Sequence, residues 1–463
     1  MASTNNNFDV VVVGGGPAGF AAAISSARNG ARTCLIEKNN FLGSNLTTGM
    51  PLYGTYTLNQ KKAAAGIVEE LVNELRNKNA ASPTFMDVRN GGAILIDPVW
   101  VEIQILRMLK EAGVKIYLGT KVTKVIKEKN SIKKIITDQL VIIPRCVIDA
   151  SGDACIAYHA GVPCEVGRDN KGEVQPLSLT FLMGNVDLMK ARHYLIDNNS
   201  FVYNKEEFSR LNLDKNQYAP WCSEDYWIFN GLTEKIREAK KSGVLPKDFT
   251  QESVIFFTMV LPNQVSVLMA KVANTNAIHY GELNEAILKA KLEIPFINDF
   301  FRKYIPGFEN SKVISVCPQI GIRETRRIRG AYVLTIDDIY TQEKFDDVIG
   351  HGAYYPDVHP PKGIDKKVSE IVHPEEPYDI PYRCLVTNEI SNILVAGRCA
   401  SATHRAMGSL RILGTCMVMG EAAGAAAALS LNIGCDVKKI DVNYLQNKLR
   451  SQGAFIRITS SKI

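Results

Sequence analysis

Continuous apolar runs concentrate near both ends of the chain, while alternating and charge-rich stretches fill its middle. VVVV at residues 10–13 has the unbroken character of a strand buried on both faces, and an Ala-rich helix follows it after Gly14, Gly16 and Gly19. ARTCLIE, residues 31–37, predicts a second strand. In DPVWVEIQILRMLKEAG, residues 97–113, Asp97 is placed to cap a helix and Pro98 suits its first turn. Val101, Ile105, Met108 and Leu109 form its buried stripe, and Gly113 ends it. VKIYLG then predicts a short strand, residues 121–144 three more with polar turns, and CVIDASGD, residues 146–153, a buried strand closing on a Gly-Asp turn.

From about residue 165 to 375 the pattern changes. LSLTFLMGNVD, residues 177–187, and residues 254–274 predict antiparallel strands, the latter pair joined by a Pro-Asn-Gln turn, with a charged helical segment over 279–303. The buried-strand signal returns in ISNILVAGR near residue 390, and TCMVMGEAAGAAAALS, residues 415–430, predicts a helix made largely of small residues. The implied organisation is a first α/β part over 1–164, an inserted, mainly antiparallel β (α+β) domain over 165–375, and a return to the first domain over 376–463.

Composition narrows the class. The 463 residues suffice for two or three domains, and 46% hydrophobic with 22% charged residues is an ordinary globular mixture. The N-terminal apolar run is interrupted by three glycines and Pro17, so neither a signal peptide nor a membrane span is expected there. Ten cysteines without any C-x-x-C pair argue against a zinc site or a dithiol motif, and suggest reduced thiols in a cytoplasmic protein. The net charge of +6 has no concentrated source; the lysines of residues 121–134 alternate with Val and Ile as the wet face of a sheet would. No nucleic-acid partner, membrane partner or metal is therefore expected.

The opening loop carries the clearest chemistry. Gly14, Gly16 and Gly19 have the G-x-G-x-x-G spacing at a strand-to-helix turn, which aims unpaired N–H groups at a pyrophosphate, with Pro17 and Ala18 inside it. Glu37 ends the second strand 18 positions after Gly19, where a carboxylate accepts both hydroxyls of a ribose. A bound dinucleotide follows. Near the C-terminus, a helix starting near Gly414 and Thr415 would turn partial positive charge toward the loop 397–413, unless its small residues, Gly420 and Gly424 among them, serve only close packing.

These stretches resemble the FAD-dependent oxidoreductases of the glutathione-reductase-like flavoprotein superfamily, with fumarate-reductase flavoproteins and tRNA-modifying flavoproteins as distant kin. The resemblance rests on residues 10–23 with Glu37, IDASGDA at 148–154, CPQIGIRETRRI at 317–328, residues 381–424, and the weaker YYPDVHPPKG at 354–363. It implies a Rossmann-like FAD-binding domain with an inserted substrate domain, and FAD as cofactor. It implies anchoring roles for Gly14, Gly16, Gly19 and Glu37, a place beside the adenosine for Lys38, and passage of the pyrophosphate by Gly43 and Asn45. Val122 would turn backbone toward adenine, and Ala150, Ser151, Gly152 and Asp153 would close around the cofactor, with Gly397 and Arg398 in the returning loop. The chain departs from the family in having Gly43-Ser44 where paired glycines are expected.

No second strand-linked G-x-G-x-x-G follows residue 150, so a dedicated NAD(P)H domain is not expected. Hydride exchange between a small polar metabolite and flavin N5, in a dehydrogenase or reductase, is the leading expectation. A flavin monooxygenase is the alternative, and an RNA-modifying flavoprotein a more remote one. Arg323 would clamp a substrate carboxylate, unless the arginines of residues 321–330 serve as salt bridges between domains. His404 would act as general acid or base, or as a buried structural histidine, with Arg411 beside it. Tyr53 would cap the substrate side of the ring or belong to the core, and His359 would stiffen a turn. The electron donor or acceptor and the oligomeric state leave no trace in the sequence.

Overall fold

The computed structural model describes residues 6–87, 89–168, 172–198, 223, 225–361 and 372–457. Strand Asn7–Val13 is the centre of a seven-stranded sheet. It pairs in parallel with Thr33–Ile36 on one side and with Val141–Asp149 on the other, and Lys115–Tyr117 extends the sheet beyond Thr33–Ile36. Val122–Glu128, Ser131–Thr137 and Val141–Asp149 form an antiparallel meander, an excursion that replaces a crossover helix.

Val141–Asp149 serves two layers, and its sequence shows where it changes role. Its first residues alternate between exposed and buried, because only one face of the meander is covered; Cys146 to Asp149 are buried throughout. In that second half it accepts Ile393–Val395 as a parallel neighbour, in the register Ile393 to Val147. The C-terminal return of the chain is thus stitched into the same sheet that its N-terminus founded.

Two helices cover this sheet and explain its small residues. Pro17–Arg28 and Leu413–Ile433 cross so closely that a Cβ on Gly420 would stand 2.0 Å from the Ala18 oxygen, and one on Gly424 2.3 Å from the Ala22 oxygen. Ser25 Oγ donates to the Glu421 carbonyl at 2.7 Å across the same contact. Leu413–Ile433 is apolar and long enough to cross a membrane, but 83% of its apolar window is buried, and it serves here as a core helix.

The middle of the chain forms a separate five-stranded antiparallel sheet in the order Ile228–Gly231, Val254–Thr258, Val265–Val272, Leu177–Gly184, Lys312–Val316. Helix Tyr280–Tyr304 packs on one face, where Phe256 meets Phe301 and Phe308 edge-on at 5.9 and 5.5 Å between ring centroids. Burying each such ring contributes about 1.5–3 kcal/mol. The opposite face, carrying Ile255, Phe257, Leu268 and Lys271, looks into a cavity. Leu268 and Lys271 are three residues apart and face the same way because the pairing with Leu177–Gly184 slips between Leu179 and Phe181, which breaks the two-residue alternation. Of YYPDVHPPKG, Lys362 and Gly363 lie outside the described residues.

Candidate active site

The glycine loop is built for close approach. Gly14 has φ +106°, and a Cβ there would stand 2.4 Å from the Ala150 oxygen; a Cβ on Gly19 would stand 1.7 Å from the Gly14 oxygen. Neither position admits a side chain. The first helical hydrogen bond runs from Phe20 N to Gly16 O, so the N–H groups of Ala18 and Gly19 have no helical carbonyl. Glu37 is buried, its Oε2 accepting from Gly15 N at 2.7 Å and its Oε1 from Asn39 N at 2.8 Å. Each oxygen keeps a further lone pair, and the side chain borders the cleft above the loop.

That cleft spans about 930 Å³, part of it open to solvent, and its floor includes Gly14, Gly16, Pro17 and Ala18. Its walls hold Lys38, Asn45, Ala150, Ser151, Gly152, Asp153, Gly397 and Arg398. The turn at 149–154 is fixed by buried Asp149, which accepts from Ser151 N and Oγ, Ile156 N and Ala157 N. Burial raises the Asp149 pKa against those bonds. Asp153 receives Arg398 Nη2 at 2.8 Å and lies 3.7 Å from Lys38 Nζ. Burial opposes its charge, but Arg398 and then Lys38 overcome this and hold its pKa below the usual carboxylate value. Thr325 Oγ1, itself held by Arg398 at 2.7 Å, ties this corner to the residues before strand Arg326–Ile328.

Four positions expected at the cofactor stand behind its walls. Gly43, at φ +90°, packs toward Thr47 and Ile105, while its neighbour Ser44 borders the cleft at φ +50°. Ser44 therefore occupies a left-handed conformation usually given to glycine, which accounts for the paired glycines expected there. Gln319 Nε2 reaches Ser44 Oγ at 2.6 Å and Asn45 Oδ1 at 3.1 Å. Val122 is a core residue of the meander. The small-residue helix begins at Leu413, next to the expected start; Gly414 N donates to Tyr53 O at 3.0 Å, and Thr415 Oγ1 is buried without a partner among the described residues. Leu413 and Cys416 are the helix residues that face the cleft.

A second cavity, of about 1200 Å³, opens between the cleft and the inserted sheet, and Asn45, Arg411 and Leu413 border both. One wall is aromatic. Tyr53 and Tyr354 lie 5.4 Å apart between centroids, and Tyr354 stacks on Tyr355 at 4.7 Å. Tyr53 Oη donates to Asp87 Oδ2 at 2.8 Å; burial, then Asp87, keep the phenol well above its ordinary pKa, so it stays protonated.

The other wall is charged. Arg323 Nη1 donates to Pro176 O at 2.7 Å and Ser178 Oγ at 2.8 Å, and burial with the nearby Arg411 charge lowers its pKa to about 10. Among the described residues it makes no bridge to the first domain; Arg326 and Arg327 do, reaching Asp153 O and Ala402 O. Arg411 Nη2 grips Asp357, whose Oδ1 lies 3.2 Å from His359 Nε2. Burial works against the Asp357 charge, but the hydrogen bond from His359 and the charges of Arg411 and Arg323 hold its pKa well below the usual carboxylate value. Burial lowers the His359 pKa more than Asp357 restores it, so the imidazole is neutral at pH 7.

The structure brings Arg323, Arg411 and Tyr53 to this cavity and leaves His404 out of it. His404 is buried, its Nδ1 2.8 Å from Glu324 Oε1, in a chain that continues to Arg327. Sequence reasoning passed over Asp357 and Lys271 and read His359 only as a turn residue, whereas all three line this cavity. Asp357 and His359 are separated by one residue in PDVHPP, a spacing that places both side chains on one side of an extended segment.

Residues 9–449 match the family described as FAD dependent oxidoreductase. The chain belongs to that family. Its cofactor is FAD, and the glycine turn on the floor of the cleft, where Gly14 and Gly19 admit no side chain, fits the dinucleotide together with Glu37 at the end of the second strand. Among curated relatives, the digeranylgeranylglycerophospholipid reductase of Methanocaldococcus jannaschii is 27% identical over 284 residues, 54% of this chain and 69% of that protein. The fumarate reductase (cytochrome) of Shewanella frigidimarina is 34% identical over 105 residues, 22% of this chain and 16% of that protein. The soluble pyridine nucleotide transhydrogenase of Chromohalobacter salexigens is 52% identical over 42 residues, 9% of either chain, so the chain spans a small part of some relatives. A solved geranylgeranyl bacteriochlorophyll reductase-like protein from Thermoplasma acidophilum superposes with a TM-score of 0.46 at 13% identity, covering 97% of this chain and 84% of that one.

Proposed function

We propose that this FAD-dependent oxidoreductase exchanges a hydride between its cofactor and a small polar substrate held in the second cavity, as a dehydrogenase or reductase. The observation that carries this reading is the shared border: Asn45, Arg411 and Leu413 line both the cofactor cleft and the substrate cavity, so a molecule in one meets a molecule in the other there. When bound, FAD supplies the two-electron acceptor or donor.

The protein's own residues supply orientation and the proton. With Asp357 ionised and His359 neutral, Nε2–H of His359 donates to Asp357, which leaves the Nδ1 lone pair to take a proton from a substrate hydroxyl or amine. In the reverse direction the same nitrogen returns it. Arg411 holds Asp357 in place and borders the reacting zone, while the Tyr53, Tyr354 and Tyr355 wall excludes water.

The test is anaerobic mixing of the purified holoprotein with candidate alcohols, amines and hydroxy acids, followed by its visible spectrum. A substrate that bleaches the wild type should bleach His359→Gln at least about a hundredfold more slowly, with FAD content unchanged. Equal rates in both proteins would remove His359 from the reaction.

A further inference from the structure

The cavity beside the cofactor has more cations than its single carboxylate balances. Arg323, Arg411 and Lys271 border it, against Asp357 alone. Arg411 is already committed to Asp357, and its Nε is buried without a partner among the described residues. Lys271 is half-buried, and among the described residues its surroundings act on it through burial and unbonded charges, with no hydrogen bond to Nζ. It reaches this wall only because of the register slip in its strand, and its pairing partner across the sheet is Ser178, which receives Arg323. A bulge that turns an unpaired lysine into a half-dry cavity, next to a desolvated arginine, is unfavourable in the empty protein. An anion relieves it.

We propose that the substrate is an organic acid, its carboxylate docking between Lys271 and Arg323 and its flat apolar part lying against the Tyr53, Tyr354 and Tyr355 wall. This rests on the reading of the second cavity as the substrate site. The groups facing Lys271 are Arg323, Asp357 and His359 within the cavity and the exposed Glu252 at its edge. Burial, then Arg323, lower the Lys271 pKa to about 8, so the site loses a positive charge above that pH.

The experiment is calorimetric titration of the FAD-loaded protein with benzoate and 2-naphthoate, and with benzamide and 2-naphthamide as uncharged shapes. None of the four has a hydride to give, so binding is read without turnover. The acids should bind about tenfold or more tightly than the amides at neutral pH, and this preference should fall as pH rises through about 8. Lys271→Met should weaken the acids about tenfold or more and leave the amides and FAD content as they were. Lys271→Arg should restore acid binding and remove its pH dependence, which a merely structural lysine would not do. Equal binding of acids and amides, no binding of the acids, or acid binding unaltered in Lys271→Met would each overturn the proposal. Acid binding without bleaching by any substrate would count against the redox reading alone; bleaching by a neutral substrate without acid binding would count against the anion site alone.

Discussion

Arg411 Nη2 lies 3.0 Å from both the main-chain oxygen and Oδ2 of Asp357, so one guanidinium nitrogen fixes the backbone and the carboxylate of the segment that carries His359. Such a grip should be felt in stability. Arg411→Met should leave Asp357 without its hydrogen-bonded cation and lower the urea midpoint, and Asp357→Asn in that background should recover part of the loss. A coupling energy of about 1–3 kcal/mol is expected from the double-mutant cycle. Strict additivity of the two changes would show that the pair does not act as a unit.

The proposed base sets the acid limb of the pH profile. Neutral His359 is the active form, so kcat/KM should fall as pH drops through a pKa lying below the ordinary histidine value of 6.5. Asp357 raises that pKa, so Asp357→Asn should move the limb to lower pH while slowing the reaction. A limb that stays in place in Asp357→Asn would assign it to another group.

His404 makes a contrasting case. Its Nδ1 contact with Glu324 lies behind the cavities, so His404→Gln should cost stability of about 1–3 kcal/mol and leave the acid limb where it is. Loss of the limb in this variant would return His404 to the chemistry.

Glu421 faces away from the cofactor, under the N-terminus of helix Ile67–Arg76, with Oε2 3.1 Å from Ile67 N. Burial raises its pKa to about 7 from 4.5. The folded state therefore binds the proton more tightly than the unfolded chain. Its contribution is fully present below pH 4.5 and is lost as pH rises through about 7. Glu421→Gln, which keeps an acceptor without the charge, should be more stable than the wild type above neutrality by up to about 3 kcal/mol, and no more stable near pH 4.5. A pH-independent difference in denaturant midpoint would refute the buried charge.

Much of the fold was legible because it obeys local rules. Gly14, Gly16 and Gly19, the continuous apolar run at 10–13 and the Asp97 cap each require only near neighbours in sequence, and Asp97 does accept from Val99 N and Trp100 N. The small residues of Leu413–Ile433 announced close packing, which the contact of Gly420 with Ala18 explains. The substrate wall was harder. Lys271 points into the cavity only because a register slip breaks the alternation that sequence reading assumes. His359, flanked by prolines, had the signature of a stiff turn, and its partners Gln175 and Arg323 come from distant segments. His404 drew attention by standing near the cofactor helix in sequence, yet its side chain turns toward Glu324.

Under the proposed function, electrons pass between FAD and a substrate lodged in the cavity that Arg411 shares with the cofactor cleft. Anaerobic stopped-flow mixing of the holoprotein with NADH, with NADPH and with a panel of small hydroxy and amino acids tests it most directly. The account expects slow or absent bleaching by the nicotinamides and rapid bleaching by a member of the acid panel, or rapid reoxidation of the chemically reduced protein by an unsaturated acid. Rapid bleaching by NADH or NADPH, with no response to any acid in either direction, would contradict it.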